Sequence, residues 1–294
     1  MKIGVIGAGR AGTSIAKYFS SVAEIAGFFS ERYEDAESSA EFAGGRAYSS
    51  ADELARDCDA LIISTGDSQI QTAWNSLDKA NLKDKLVLHL SGSLSSSVFT
   101  DASACGAHAG SLHPAYAFDD RFNSYKGLGA VIFTAEGDEV FLSEIGGLTE
   151  KLGNRMAVID SSSKTLYHAA ASLASNHMLG LLGMCADILG ECGFTREDAY
   201  ALLTPLMGDN LKKALSDGAE SALTGPIERG DIRTVAEHLR VLDTRHKEVY
   251  NALGKQVVAL AKKKHSGDGS LGEKYSEIEE MLQNEKHSSD ISAK

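Results

Sequence analysis

The sequence predicts an α/β protein, with an N-terminal doubly wound domain followed by an all-helical C-terminal domain built around one long central helix. Three observations carry this. Up to about residue 160, short Val/Ile-rich runs alternate with helical segments, the pattern of parallel strands covered by helices on both faces. The first such run leads straight into a glycine turn, Gly7-Ala8-Gly9-Arg10-Ala11-Gly12, and then a helix-like stretch. Past residue 160 the strand-like runs stop and long segments without proline take over.

KIGVI (2–6), EIAGFF (24–29), ALIIS (60–64), LVLHL (86–90), GAVIFT (129–134) and RMAVI (155–159) read as strands. Unalternating apolar runs of this length fit parallel strands with both faces buried. Residues 68–78 and 138–152 supply helical crossovers. The second part opens with DSSSKTLYHAAASLASNHMLGLLGMCADILGECG, which starts on hydroxyl residues able to N-cap and ends on Gly193. Further helices fit 196–216 and 232–264. The expected division is 1–160, a dinucleotide-binding domain; 161–265, a helical substrate and dimerisation domain; and 266–294, a polar, partly disordered tail with one helical patch at 273–283.

The 294 residues are 43% hydrophobic and 24% charged, globular composition with ample material for a core. A net charge of −12 argues against a nucleic-acid surface, which needs clustered Lys and Arg. No apolar run has the length of a membrane span, and the chain enters a strand with no signal segment before it, so a soluble, cytoplasmic protein is expected. Cys58, Cys105, Cys185 and Cys192 form no CxxC pair and no metal spacing. They read as reduced, mostly buried thiols, and no metal site is expected.

The glycine turn carries the first chemistry. Gly7 permits the tight turn, Gly9 lets the backbone approach a pyrophosphate, and Gly12 allows helix and strand to pack closely. The free N–H groups and dipole of the following helix then face the phosphates. Strand before and helix after make this a Rossmann dinucleotide site rather than a chance pattern. At the end of the second strand, Ser30 and Arg32 suit a ribose 2′-phosphate, which takes charge-assisted hydrogen bonds. NADP(H) is therefore expected ahead of NAD, although Glu31 lies between the two. Thr65 and Gly66 in STGDSQI (64–70), and Ser91 and Gly92 in SGSLSSS (91–97), stand at further strand ends where nucleotide and substrate bind.

Candidates for catalysis lie further on. His113, before Pro114 in GSLHPAYAF, sits on an extended segment and is placed to bind substrate. His168, Ser172 and Asn176 are spaced by four, which places them along one stripe of the long helix, with Lys164 one turn earlier. Hydride delivered to a carbonyl leaves an alkoxide that needs a proton donor and hydrogen-bonding groups, and histidine titrates near neutrality. Equally, these polar residues can line an interhelical seam. In ALTGPIERGDIRTVAEHL (222–239), Thr224 and Arg229 suit a substrate carboxylate, or Asp231 pairs with Arg229 as part of a helix cap.

GAGRAG, Ser30 with Arg32, GSLHPAYAF, YHAAASLASNH and ALTGPIERGD occur in one order that resembles the Rossmann-like proteins with a C-terminal DUF2520 domain, over residues 1 to about 262. That family is similar in architecture to pyrroline-5-carboxylate reductase and the 6-phosphogluconate dehydrogenase-like enzymes, and some members are regarded as alternative ketopantoate reductases. The resemblance implies NADPH-dependent reduction of a small 2-oxo acid, best represented by 2-dehydropantoate, in a homodimer joined through the helical domains. The better-known ketopantoate reductases carry a Lys-x3-Asn-x3-Asn stripe on the central helix. Here it reads His168-x3-Ser172-x3-Asn176, so the catalytic lysine does not carry over: His168 takes the acid role, or Lys164 reaches in, or the substrate differs. A cyclic-imine or other oxo-acid reductase, and a non-catalytic NADP(H)-binding sensor, are the alternatives.

Overall fold

A computed structural model describes residues 1–267 and 269–283. Residues Met1–Ser175 form one compact unit and the chain from Asn176 onward a second.

The first unit is an eight-stranded sheet with helices on both faces. Its elements are β1 (Lys2–Ile6), α1 (Arg10–Phe19), β2 (Glu24–Phe29), α2 (Tyr33–Ala43), β3 (Arg46–Ala47), α3 (Ala51–Asp57), β4 (Ala60–Ile63), α4 (Asp67–Ser76), β5 (Leu86–His89), β6 (His108–Pro114), β7 (Phe133–Gly137), α5 (Glu139–Lys151), β8 (Met156–Val158) and α6 (Lys164–Ser172). The strand order β3-β2-β1-β4-β5-β6-β7-β8 reverses direction of growth between β1 and β4. That switch point is where open α/β sheets bind ligands, beyond the carboxyl ends of the strands. Successive side chains point to opposite faces, so each strand feeds two cores. Ile3, Val5, Phe28, Leu88 and Phe133 pack against α1, α2 and α5 with Phe19 and Phe141. Ile6, Leu61, Ile63 and Val87 pack on the other face with Leu54, Trp74 and Phe99.

Three details differ from the expected sheet. The segment 110–114 is not merely extended but belongs to a full strand, β6, paired in parallel with β5. Its pattern is obscured by Gly110, where a Cβ would lie 2.0 Å from the Phe141 ring, so the helix residue fills the strand residue's place. The strand expected at 129–134 starts later, at Phe133, because Ser124–Ala130 forms a 3₁₀ turn. Asn154 Nδ2 donates to the Leu128 and Val131 carbonyls at 2.8 and 2.9 Å and holds that turn out of the sheet. Finally, β7 runs antiparallel to β6: with no crossover helix between them, the chain simply returns.

The helix opened by Lys164 does not stay α-helical. Leu173–His177 is a π turn, and α7 (Met178–Glu191) continues in the second unit. The four-residue spacing behind the expected stripe assumes α geometry, which this turn replaces before Asn176 is reached. Beyond a glycine terminus at Gly193, φ +92°, come α8 (Arg196–Asp217), α9 (Ala219–Ala222), α10 (Ile232–Val241), α11 (Thr244–Lys264) and α12 (Gly272–Gln283). The helix expected over 232–264 is two, because the Asp243 side chain accepts from the His246 N–H and caps a new helix.

The expected tail is also corrected as far as residue 283. Tyr275, Ile278 and Leu282 of α12 are buried against Val235, Val258 and Ala261, and Lys262 pairs with Glu279 at 2.7 Å. Residues 284–294 of that tail lie outside the described residues. The cysteines are free, as expected, but only Cys58 is buried; Cys192 is exposed and the other two are half-buried. No helix among the described residues is long and apolar enough to cross a membrane.

If α12 is part of the helical core, Ile278→Ala will lower stability by about 2–4 kcal/mol through the cavity it leaves. A denaturant midpoint unchanged from wild type would show α12 to be detached.

Candidate active site

Two neighbouring constructions at the carboxyl ends of β1, β4, β5 and β6 make up the site, and both lie within the first unit. The first is the dinucleotide turn. Gly7 has φ +99° and its N–H donates to the Phe29 carbonyl at 2.8 Å. A Cβ on Gly12 would stand 2.5 Å from the Gly7 carbonyl oxygen and 2.8 Å from Ser64 Oγ, so only glycine lets α1 pack this closely. Gly9, by contrast, has nothing within 4 Å of its Cβ position. It caps α1 without a side-chain hydrogen bond, and the first turn carries no acidic residue. Open backbone N–H groups at a helix N-terminus are what a pyrophosphate requires.

Gly66, the N-cap of α4, is equally open. Beside it the Thr65 hydroxyl is buried with no partner among the described residues, a polar group whose desolvation calls for a ligand. Ser30 is half-buried past β2, and Arg32 is 76% exposed with only a 3.8 Å pairing to Asp35. Ala8 is buried beneath the turn, while Arg10 at the head of α1 is exposed. The glycines, Thr65 and the open guanidinium thus fit a phosphorylated dinucleotide.

The second construction surrounds Gly92. The turn after β5 is built from polar side chains that bind one another. His89, fully buried, accepts the Ser91 N–H on Nδ1 at 3.2 Å, which leaves its proton on Nε2 to donate to the Ser95 carbonyl at 3.3 Å. Ser91 and Ser93 donate to Asp67 Oδ2 at 2.8 and 2.9 Å. The Ser96 N–H and hydroxyl donate to the Glu136 carboxylate at 2.6 and 2.8 Å. The Ser91 hydroxyl is therefore committed to holding the turn.

Gly92 itself faces two imidazoles. A Cβ there would lie 2.6 Å from His168 Nδ1 and 2.9 Å from His113 Nε2. His113 comes from the end of β6, His168 from α6; their rings stand 6.2 Å apart at 84°. Tyr167, the neighbour of His168, meets His113 Nδ1 with its hydroxyl at 2.7 Å. Burial, then Lys164 and His168, push His113 down to about 4, so it is neutral at pH 7. Burial likewise takes His89 down to about 4.

Lys164 is fully buried, and its ammonium donates to the Ser91 carbonyl and Ser111 Oγ, both at 2.9 Å. Ser172 is half-buried at the end of α6. The structure thus brings His113, His168, Lys164, Ser91 and Gly92 together. Asn176, Thr224 and Arg229 belong to the second unit, where Thr224 and Arg229 are exposed. There Asp231 caps α10 through the Thr234 N–H and hydroxyl rather than serving Arg229. Tyr167, Ser111, His89 and Asp67 were not anticipated. Only His89, a histidine closing an apolar strand, left a local signal.

Residues 1–85 match the model of an oxidoreductase family with an NAD-binding Rossmann fold. Residues 131–257 match the domain of unknown function DUF2520. An NAD-binding Rossmann match is thus followed along the chain by a DUF2520 match. The DUF2520 match begins inside the sheet, ahead of β7, and so takes in α6 and His168. Among solved structures, a Thermotoga maritima protein superposes with TM-score 0.71 at 25% identity, over 89% of this chain and 99% of that one. A Plasmodium falciparum pyrroline carboxylate reductase with NADP bound gives 0.58 at 15% identity, over 90% and 97%. An imine reductase from Myxococcus stipitatus in complex with NADP+ gives 0.60 at 16%, over 96% and 94%. These last two share the fold. No curated protein sequence matches the chain.

Because His89 and His113 are held neutral, their folded-state pKa values lie below the unfolded 6.5. Their contribution to stability is complete above pH 6.5 and is lost as pH falls through about 4, since the unfolded chain then binds more protons. The urea midpoint will accordingly be lower at pH 5 than at pH 7, and a His113→Asn variant will show a smaller drop. A midpoint independent of pH in this window would contradict the assignment.

Proposed function

We propose that the chain is an NADPH-dependent oxidoreductase that reduces a small 2-oxo acid, with 2-dehydropantoate the substrate to try first. The observation that carries this reading is the pair of imidazoles at Gly92, set at strand ends beside a turn fitted to a dinucleotide. NADPH supplies a hydride when bound, and the substrate's oxygen then needs a proton. His168, exposed on α6 with Nδ1 toward Gly92, is the proton donor, since a positioned imidazole serves as a general acid. His113, neutral and hydrogen-bonded to Tyr167, orients the carbonyl. The Ser91–Gly92 turn approaches closely because Gly92 has no side chain. Ser30 and Arg32 favour NADP over NAD through the 2′-phosphate. Asn176 is a further catalytic candidate, and Ser172, Thr224 and Arg229 are candidates for holding substrate, Arg229 through a planar fork suited to a carboxylate.

The reading includes a homodimer. No residue of α7 is buried, although it is the most apolar helix of the second unit. Leu179 and Leu206 are 62% and 60% exposed and flank a groove of about 540 Å³ with Met178, Leu182, Met207 and Leu211. Apolar surface of this kind marks an interface, and a second copy is the occupant the resemblance implies. Light scattering should return twice the monomer mass.

Mixing protein, NADPH and 2-dehydropantoate should consume the nicotinamide absorbance. His168→Ala should lower kcat at least about 100-fold while NADPH binding stays close to wild type. Arg32→Ala should weaken NADPH about tenfold or more, the loss of one charge-assisted contact, and leave NADH unchanged. Turnover of a cyclic imine instead would move the substrate assignment; tight NADPH binding with no turnover on any oxo acid or imine would point to a sensor.

A further inference from the structure

Lys164 is the one fully buried charged side chain among the described residues of zero exposure. Burying an ammonium is costly unless a counter-ion meets it; among the described residues no carboxylate forms an ion pair with Lys164, and Glu136 and Asp67 favour its charge only from a distance. Its two acceptors are neutral: the Ser91 carbonyl and Ser111 Oγ. The nearest carboxylates, Asp67 and Glu136, are occupied with the serines of the turn. Ser91 precedes Gly92, and Ser111 stands two residues before His113 on β6, so one ammonium ties the glycine turn to the strand that carries one imidazole. Lys164 itself opens the helix that carries the other. All three walls of the Gly92 slot therefore meet at its Nζ.

We propose that Lys164 is the positioning residue of this slot: its ammonium joins β5, β6 and α6, sets the spacing of His113 and His168 across Gly92, and takes no part in proton transfer. This rests on the reductase reading of the site. Its charge has a second consequence. The groups that bear on His113 are Tyr167, His168 and Lys164 from α6, His89 from β5 and Asp67 from α4. Of these the ammonium is the charge that most opposes protonation of His113, second only to burial. Neutral His113 shares one proton with the Tyr167 hydroxyl through Nδ1 and turns Nε2 toward Gly92.

The test is a histidine NMR titration of the full-length protein, with the His113 signal assigned through His113→Asn. In Lys164→Met the His113 midpoint should rise by about one unit as the like charge is removed, while Lys164→Arg should keep it low. With 2-dehydropantoate, kcat should fall about 100-fold in Lys164→Met with the NADPH KM within about threefold, as misplacement of reacting groups predicts. If Lys164→Met does not fold, Ser111→Ala decides: it leaves the ammonium but cuts one tether, and the His113 midpoint should shift upward. An unchanged midpoint in folded Lys164→Met, or in Ser111→Ala where Lys164→Met does not fold, overturns the proposal. A shifted midpoint without turnover of any substrate overturns the reductase reading and leaves the positioning role standing.

Discussion

The fold depends on one close approach, that of α1 to the ends of β1 and β4. Gly12 lies so near the Gly7 carbonyl and Ser64 that a single methyl group would overlap both. This contact lets the helix begin directly at the switch point between β1 and β4, which aims its unpaired N–H groups into the crevice above the sheet. With α1 displaced, Gly9 would lose its exposure and the strand ends their common focus. The crevice is thus a consequence of what is missing from three residues, Gly7, Gly9 and Gly12, as much as of what is present.

A different economy governs the Gly92 side. There the backbone is placed by charge and hydrogen bonding rather than by apolar packing. Asp67 and Glu136 hold the serines of the turn, His89 bridges its two ends, and Lys164 closes it from beneath. Buried polar networks are stabilising only when their members are satisfied. This one meets that condition with two histidines kept neutral and an ammonium that has neutral acceptors. Rigid placement of this kind suits a site where misplacement by an ångström is expensive.

What was legible beforehand follows from the range of the interactions. The dinucleotide turn is local: strand, glycines and helix are contiguous, so their pattern is visible in eleven or so residues. The Rossmann order followed from the alternation of runs. The contact of His113 with Tyr167 spans 54 positions, and nothing in either segment announces the other. Lys164 was visible as a polar residue near the stripe, but its burial was not, since lysine is almost never fully buried without a partner. The π turn at Leu173–His177 leaves no mark in a run of alanines and serines. Tyr275, Ile278 and Leu282 did recur at helical spacing, yet the acidic residues between them made α12 read as tail.

The proposed function requires NADPH to lie across the β1/β4 switch point with its nicotinamide at Gly92. A crystal structure of the chain with NADP+ tests it most directly. The pyrophosphate should lie on the Gly7–Gly12 turn and the nicotinamide against Ser91–Gly92, with its C4 facing the space between His113 and His168. A nicotinamide lying away from both imidazoles, with Gly92 uncovered, would contradict it.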